Sequence, residues 1–328
     1  MAVAFLVAVF ATLLAVLYGM LVFLKHSPRA ETEAETKYMT NDGKGAIHSL
    51  PPRISSKSLE GKLPGPKSSA EIELSVVVPS YNETARLRKM LDDAVVHLEG
   101  NYSGKYEILI VDDASKDGTG AFALSEATRL GLAPHVLKVV TLTANRGKGG
   151  AVAHGILHGR GNLLLFADAD GATQFSDVEK LAAYMATINS GPGVAIGSRA
   201  HMINTDAVVK RSFIRNLLMY GLHVLVYIFG IRNVQDTQCG FKMFNRKAAG
   251  MIFPHMHTER WIFDVEILLL AELQRVPIGE IPVNWQEVDG SKVDLAKDSI
   301  QMAVDLVVTR MAYLLGIYSL NECDRLRK

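Results

Sequence analysis

Short, almost continuously apolar runs alternate with segments of helical spacing between residues 73 and 199. Strands that are apolar on both faces are typical of a parallel sheet covered by helices on each side. The pattern predicts strands at 74–79, 106–113, 136–143, 163–168 and 193–199, and helices at 84–98, 120–130, 149–158 and 176–189. We therefore expect an α/β fold, with a Rossmann-like, mostly parallel sheet between two layers of helices.

Polar, charged or glycine-rich residues follow each of these predicted strands. Ligands of such sheets bind beyond the carboxyl ends of the strands. We therefore expect the groups that follow the strands to meet at one edge. They are residues 79–83, 112–113, 145–150, 168–170 and 197–199.

Two aspartates, Asp168 and Asp170, end the run LLLFAD and are separated by one residue. Strand side chains repeat every second residue, so both carboxylates face the same way and repel each other. A divalent cation, Mg²⁺ or Mn²⁺, would relieve that repulsion, and Gln174 could add an oxygen ligand or a hydrogen bond. Arg146 and Lys148 lie among glycines, which suits a diphosphate.

The first segment, Ala2–Leu24, contains no charged side chain, and Lys25, His26 and Arg29 follow it. About 23 residues rising 1.5 Å each span roughly 34 Å, enough for a bilayer core. We expect an uncleaved membrane anchor (1–24), with the basic flank and the rest of the chain on the cytoplasmic side.

The two cysteines are too few for a disulfide framework. Residues 25–70 are rich in Ser, Pro, Gly, Lys and Glu and are predicted to be a linker or stalk.

Seven ordered segments carry a family resemblance: VVVPSYNE, ILIVDDASKDGT, NRGKGGAV, FADADGATQ, GSR, DTQCGFKMF and FDVEILL. Together they resemble the inverting nucleotide-sugar glycosyltransferases of the GT-A fold, family 2, and within them the polyprenyl-phosphate glycosyltransferases. The resemblance extends over about residues 74 to 318. It implies transfer of glucose from UDP-glucose to dolichyl phosphate, at the cytoplasmic face of the endoplasmic reticulum membrane.

The resemblance also implies roles for residues. It assigns 71–207 to nucleotide-sugar binding and 208–328 to acceptor binding. The uridine would be held by Pro79, Tyr81, Glu83, Asp112 and Asp113. The metal on the diphosphate would be held by Asp168 and Asp170 with Gln174 beside them, and Arg199 would lie near the phosphates.

Catalytic carboxylates are predicted at three positions by the same resemblance. Asp170 would act through the metal. Asp236 lies where the family often has its base, and we expect it to orient the acceptor phosphate or the sugar, with a loop cap as the alternative. Glu266, or Asp264 as the alternative, would face the sugar from a helix. Trp285 could stack on the sugar or only pack against the protein. A flap over the donor phosphates is expected at Ser291 and Lys292.

Two apolar helices are predicted at 213–229 and 300–318. The first has about 17 residues and could barely span a bilayer, with a buried core helix as the alternative. In the second, Asp305 and Arg310 argue against a full span. We expect both to lie in the membrane interface. For the second, the membrane-facing side would carry Met302, Leu306, Val307, Met311, Leu314 and Leu315. At the start of the first, the acceptor's phosphate would be bound by Lys210, Arg211 and Arg215.

Alternatives remain open. The donor could be GDP-mannose with the same mechanism, or the chain could be a catalytically inactive scaffold that binds nucleotide. The formal net charge of +1 gives no argument for nucleic-acid binding. The sequence leaves the oligomeric state undefined. His154 and His158 have the i, i+4 spacing of zinc ligands, but no third ligand lies nearby in the sequence, so no zinc site is predicted there.

Overall fold

Nine strands form a single sheet in the computed structural model of this chain, which describes residues 1–55, 72–202, 231–288 and 295–320. The strands are β1 (Lys37–Met39), β2 (Ile47–Ser49), β3 (Leu74–Ser80), β4 (Tyr106–Asp112), β5 (Leu137–Thr141), β6 (Leu163–Ala167), β7 (Val194–Ser198), β8 (Phe241–Asn245) and β9 (Ile278–Pro282). The helices are α1 (Ala2–Leu24), α2 (Leu87–Tyr102), α3 (Thr119–Arg129), α4 (Lys148–His158), α5 (Val178–Thr187), α6 (Arg246–Ile252), α7 (Phe263–Leu273) and α8 (Leu295–Leu314).

The strand order is β2-β1-β5-β4-β3-β6-β8-β7-β9. The central neighbours β5-β4-β3-β6 pair in parallel, as predicted. β8 lies antiparallel between β6 and β7, and β9 runs parallel to β7. As a result β3, β4, β5, β6, β7 and β9 end at one edge of the sheet, and β8 begins there. The segment that precedes β8 therefore meets the segments that follow β6 and β7.

Both faces of the central strands are buried. In β3, Val76 and Val78 pack in one apolar cluster with residues of α2, α3 and α5, whereas Val77 packs in a second cluster with residues of α4, α6 and α7. This alternation is the strand periodicity that places successive side chains on opposite faces. The α/β fold with helices on both faces is confirmed.

The prediction of a linker or stalk at 25–70 is wrong for residues 25–55, the part that the structure describes. β1 pairs antiparallel with β5, and β2 pairs with β1, so this segment extends the sheet at one end. Residues 56–70 of the predicted stalk lie outside the described residues.

Glu35 shows how this segment is held. Its side chain is fully buried, forms an ion pair with Arg29, and accepts hydrogen bonds from the amide (2.8 Å) and hydroxyl (2.9 Å) of Thr143. Burial acts to raise the pKa of Glu35, but these bonds, with one from the Thr32 amide, lower it to about 2. Polar contacts therefore hold the segment of β1 and β2 in place. Amino-acid composition does not predict such contacts, and the segment has no apolar periodicity.

α1 is the helix, among the described residues, that is long and apolar enough to cross a membrane. Its apolar part, Val3–Leu24, has a mean hydropathy of 2.6 over its most apolar window, and 6% of that window is buried. By length and composition it can serve as the predicted anchor.

α8 overlaps the predicted interfacial helix 300–318, but its apolar side chains face two ways. Met302 and Leu306 pack against Ile262 and Val265, so the expectation that they face a membrane is wrong. Its exposed apolar residues include Ile300, Val304 and Leu314, and Leu315 is exposed just beyond its end. The other predicted interfacial helix, 213–229, lies outside the described residues.

Candidate active site

Asp168 and Asp170 lie immediately beyond β6, at the edge where the parallel strands end. Their side chains retain 33% and 24% of their solvent exposure. The Asp168 amide donates to the Gly240 carbonyl (3.0 Å), and a Cβ at position 240 would lie 2.0 Å from Asp168 Oδ2. Gly240, just before β8, therefore leaves the room that this carboxylate needs.

Each of the two carboxylates has a cationic side chain beside it. Lys148 Nζ lies 2.7 Å from Asp168 Oδ1, and Arg86 Nη1 lies 3.9 Å from Asp170 Oδ2. Burial raises the pKa of Asp170, and the charge of Asp168 raises it further. Two partly exposed carboxylates that still repel each other form a donor set of hard oxygens, which fits a divalent cation.

Lys148 is the first residue of α4 and is half-buried, close to two buried charges, Asp264 and Lys242. Burial acts to lower the pKa of Lys148, but Asp168 and Asp264 hold it above its ordinary value. Asp264, on α7, forms an ion pair with Lys242 of β8. The ammonium groups of Lys148 and Lys242 each lie 5.4 Å from the ring centroid of Phe166. The sequence analysis missed Lys242, although a lysine in the otherwise apolar strand FKMF is a signal that could have found it.

The residues assigned to uridine follow β3 and β4, which are neighbours in the sheet. Tyr81 is 38% exposed, and Asp112 is buried, with its Oδ1 accepting from the Ser115 amide at 3.0 Å. Glu83 forms a two-pronged ion pair with Arg86, with Nε 2.8 Å from Oε2 and Nη2 2.6 Å from Oε1. Arg86, which the sequence analysis did not single out, thus connects Glu83 to Asp170. Pro79 lies within β3 itself.

Asp113 shapes the glycine-rich loop that precedes α4. Its two carboxylate oxygens accept hydrogen bonds from the backbone amides of Arg146 (2.6 Å) and Gly147 (2.8 Å). Burial raises the pKa of Asp113 to about 6, against the lowering effect of these two bonds. Gly147 has φ +85°, and a Cβ there would lie 2.6 Å from the Glu259 carbonyl. Loop positioning is therefore the role that these contacts give to Asp113.

The Arg146 side chain does not fit the prediction that it contacts the diphosphate. Its Nε donates to Glu259 Oε1 (2.7 Å), and its Nη2 donates to the Arg29 carbonyl (2.8 Å). The guanidinium therefore joins the loop before α4 to the N-terminal segment. Arg146 lines a cleft of about 520 Å³, together with residues that include His26 after α1 and Asp305 on α8.

Arg199 and Asp236 are bound to each other. Arg199 Nε and Nη2 donate to the two oxygens of Asp236 at 2.7 and 2.9 Å, and the Arg199 amide donates to Oδ2 at 2.9 Å. Despite burial, these bonds lower the pKa of Asp236 and raise that of Arg199. The guanidinium lies 5.3 Å from the ring centroid of Trp285. A carboxylate held this firmly as an anion is a weak base, so the pairing does not favour a base role for Asp236; that Asp236 orients the acceptor phosphate or the sugar stays a prediction.

Glu266 is buried on α7 and does not fit the prediction that it faces the sugar. Its carboxylate accepts hydrogen bonds from the amides of His257 (3.0 Å) and Thr258 (2.7 Å) and from the Tyr313 hydroxyl (2.9 Å). It therefore ties a loop and α8 to α7. Glu266 has the environment of a structural residue.

Gln174 is exposed, and its backbone amide donates to the Asn284 carbonyl at 3.0 Å. Thr173 forms a bridge with Trp285, so the segment after Asp170 lies alongside the segment after β9. The remaining predicted site residues lie outside the described residues: Lys210, Arg211, Arg215, Ser291 and Lys292.

A family comparison agrees with this geometry. Residues 75–253 match the model of glycosyl transferase family 2. The chain therefore belongs to glycosyltransferase family 2, and its sheet and helices form the GT-A fold of these enzymes.

The chain is similar to curated relatives that share one name. It is 52% identical over 327 residues to dolichyl-phosphate beta-glucosyltransferase of Saccharomyces cerevisiae, covering 96% of each chain. It is 43% identical over 280 residues to dolichyl-phosphate beta-glucosyltransferase of Homo sapiens, covering 83% of this chain and 86% of that one.

Solved structures share the fold at low sequence identity. Glucosyl-3-phosphoglycerate synthase from Mycobacterium tuberculosis, in complex with UDP, has a TM-score of 0.50 at 17% identity, covering 74% of this chain and 81% of that one. Mannosyl-3-phosphoglycerate synthase from Rubrobacter xylanophilus has a TM-score of 0.51 at 18% identity, covering 85% and 82%.

Proposed function

We propose that this glycosyltransferase transfers glucose from UDP-glucose to dolichyl phosphate, giving dolichyl β-D-glucosyl phosphate and UDP. The observation that carries the proposal is 52% identity, along 96% of both chains, to a yeast enzyme named for this reaction. The product would supply a glucose donor for the assembly of N-glycan precursors.

The acceptor explains why the site needs no strong base. A phosphate monoester has a second pKa near 6, so it is largely dianionic at pH 7 and is already a nucleophile. The chain has to hold this phosphate in line with the anomeric carbon and stabilise the departing diphosphate. A single in-line displacement inverts the α-linked donor to a β-linked product. The pairing of Asp236 with Arg199 is compatible with this chemistry.

Asp168 and Asp170 are the residues that would hold a divalent cation, Mg²⁺ or Mn²⁺. Their oxygens are hard ligands at the sheet edge, and their mutual repulsion favours a cation. When bound, such a cation would neutralise negative charge on the diphosphate. Gln174 follows on the same loop and stays a proposed further ligand. Lys148, at the start of α4, adds a fixed positive charge beside Asp168.

Tyr81 and Asp112 are the residues that we assign to direct contact with uridine, beside Pro79. Glu83 and Asp113 would support the uridine site without contacting the uridine. The Glu83 carboxylate already binds Arg86, and the Asp113 carboxylate already binds the loop before α4. Arg199 and Trp285 form one wall of the site near the phosphates and sugar.

The membrane is the natural place for a lipid-linked acceptor. We assign α1 as a single-pass anchor in the endoplasmic reticulum membrane, with the catalytic fold on the cytoplasmic side. The exposed apolar side chains Ile300, Val304 and Leu314 of α8 would contact the lipid surface. The cationic group of Lys210, Arg211 and Arg215 would bind the dolichyl phosphate headgroup.

The experiment is a two-donor transfer assay with purified protein in detergent. Dolichyl phosphate is incubated with labelled UDP-glucose or labelled GDP-mannose, with and without EDTA, and label is counted in the lipid phase. We expect glucose transfer that EDTA abolishes and added Mg²⁺ or Mn²⁺ restores. Asp170→Asn should lose transfer, whereas Asp92→Asn, which changes a partly exposed acid paired with Arg129, should retain it.

Other results would point elsewhere. Mannose transfer would keep the reaction class and change the donor. Binding of UDP-glucose without transfer would favour the scaffold. Full activity of Asp170→Asn, or activity that EDTA does not change, would overturn the metal assignment.

A further inference from the structure

Glu31, His154 and His158 meet at a distance from the proposed active site. Both histidines are on α4, which begins at Lys148, so they lie about 9 and 15 Å further along the helix axis. Glu31 comes from the segment between α1 and β1. Glu31 Oε2 lies 3.6 Å from His154 Nδ1 and 3.1 Å from His158 Nε2. The third ligand that the sequence analysis failed to find near the histidines is therefore supplied by a residue remote in sequence.

Backbone carbonyls fix one ring nitrogen of each histidine as a donor. His154 Nε2 lies 2.9 Å from the Glu35 carbonyl, and His158 Nδ1 lies 2.7 Å from the Pro51 carbonyl. A carbonyl oxygen can only accept, so each of these nitrogens carries the proton. In the neutral imidazoles the lone pairs are then on His154 Nδ1 and His158 Nε2. These are the two nitrogens that face the Glu31 carboxylate.

Two lone pairs and a carboxylate oxygen directed at one another repel unless a cation lies among them. A proton on His158 Nε2 would satisfy that nitrogen, but it would leave no proton between His154 Nδ1 and Glu31 Oε2, which are 3.6 Å apart. A metal ion would satisfy both nitrogens and the carboxylate as well. His154 is buried, and burial lowers its pKa to about 3, which keeps this imidazole neutral and able to coordinate.

We propose that Glu31, His154 and His158 bind a Zn²⁺ ion, separate from the cation of the active site. Two imidazole nitrogens and a carboxylate oxygen are a common zinc ligand set, with water in the fourth position. The protonated ring nitrogens donate to carbonyls, which is how metal-bound histidines are usually oriented. The three ligand atoms lie within 4.8 Å of one another, and a tetrahedral zinc site needs about 3.4 Å. Small side-chain shifts would complete it.

Arg53 is the charge that competes with this ion. Its Nη1 lies 3.4 Å from Glu31 Oε2, and both Arg53 and Arg146 act on His154 electrostatically. Arg53 can balance the charge of Glu31, and its contact in this structure is with the same carboxylate oxygen that faces the two histidines. The alternative to a metal is therefore a protonated His158 in an ion pair with Glu31 and Arg53.

The site would fasten the anchor to the catalytic fold. Glu31 follows the end of α1 at Leu24 by a short segment, and α4 packs on the central sheet. A metal held between them would fix the direction in which α1 leaves the domain. This is a structural role, and it does not depend on the proposed transfer reaction.

The test measures metal directly. Full-length protein in detergent is passed through gel filtration, and zinc is quantified by inductively coupled plasma mass spectrometry. We expect about one zinc per chain for the unmodified protein and for Asp168→Asn/Asp170→Asn, which lacks the active-site carboxylates. Glu31→Gln and His158→Gln should lose most of it. His97→Gln is the matched control, because His97 forms a simple histidine–carboxylate pair with Glu179 at 2.9 Å.

Thermal stability gives a second readout that does not require activity. After chelation, micromolar ZnCl₂ should raise the melting temperature of the unmodified protein by about 5 °C, and should leave Glu31→Gln unchanged. Unmodified protein that carries no zinc and gains no stability from ZnCl₂ would overturn the proposal in favour of the protonated pair. Zinc that disappears in the Asp168→Asn/Asp170→Asn variant instead would assign the metal to the active site.

Discussion

The Lys148 ammonium lies 2.7 and 3.0 Å from the two oxygens of Asp168. The acidic pair at the end of β6 therefore has a protein cation against it, delivered by the first residue of α4. A departing diphosphate at this edge would meet that ammonium as well as any divalent cation.

Replacement of Lys148 should weaken transition-state stabilisation. We expect Lys148→Met to lower kcat/KM for glucose transfer by about 100-fold, because a fixed charge near a leaving group contributes mainly in the transition state. Steady-state transfer assays with UDP-glucose measure this. Lys180→Met, which removes a more exposed lysine 2.8 Å from Asp177, should leave kcat/KM unchanged. Equal kcat/KM of the two variants would mean that Lys148 does not contribute to glucose transfer.

The raised pKa of Asp113 predicts a pH-dependent cost to stability. A group whose pKa rises from 3.8 to about 6 on folding binds its proton more tightly in the folded state. Its ionisation between pH 4 and 7 therefore destabilises the fold, by up to about 3 kcal/mol. Relative to Asp113→Asn, which cannot titrate, the unmodified protein should lose stability as the pH rises through this range. Melting temperatures of both proteins at several pH values measure the difference, and a difference that grows in the opposite direction would contradict the assigned shift.

The Arg199–Asp236 pair should behave as one unit. Removal of either charge leaves the other partly buried without its partner, so Arg199→Met and Asp236→Asn should each cost about 1–3 kcal/mol of unfolding free energy. The double variant should cost less than the sum of the two, with a coupling of about 1 kcal/mol or more. Denaturant unfolding of the four proteins completes the cycle. Additive effects would mean that the two residues do not support each other.

A variant at Glu266 tests whether this carboxylate is structural or catalytic. Glu266→Gln places an amide group among donors from His257, Thr258 and Tyr313, and should cost about 1–3 kcal/mol of stability. Below its melting temperature the variant should keep kcat/KM within about threefold of the unmodified protein. A large loss of activity with an unchanged melting temperature would restore the catalytic interpretation.

Local pattern was enough to predict the central architecture. The apolar runs at 74–79 and 163–168 gave parallel strands buried on both faces, because strand periodicity and two-sided burial are encoded within a few residues. The same pattern placed Asp168, Asp170 and Lys148 at one edge, because parallel strands end together. The fold of residues 29–55 could not be predicted from apolar pattern, because polar contacts such as the Glu35–Arg29 ion pair hold that segment and its sequence has no apolar alternation.

The sequence by itself determined the α/β class, the apolar first helix and the set of polar residues at the strand ends. Tertiary structure alone decided which of those charges meet. Insertion of β8 between β6 and β7 brings Gly240 against Asp168 and Asp236 against Arg199. The placement of α4 beside other parts of the chain pairs Arg146 with Glu259, and Glu31 with the two histidines of α4. Periodicity is a local property of the chain. A side chain's partner depends on strand order and helix placement, which bring together residues that are distant in sequence.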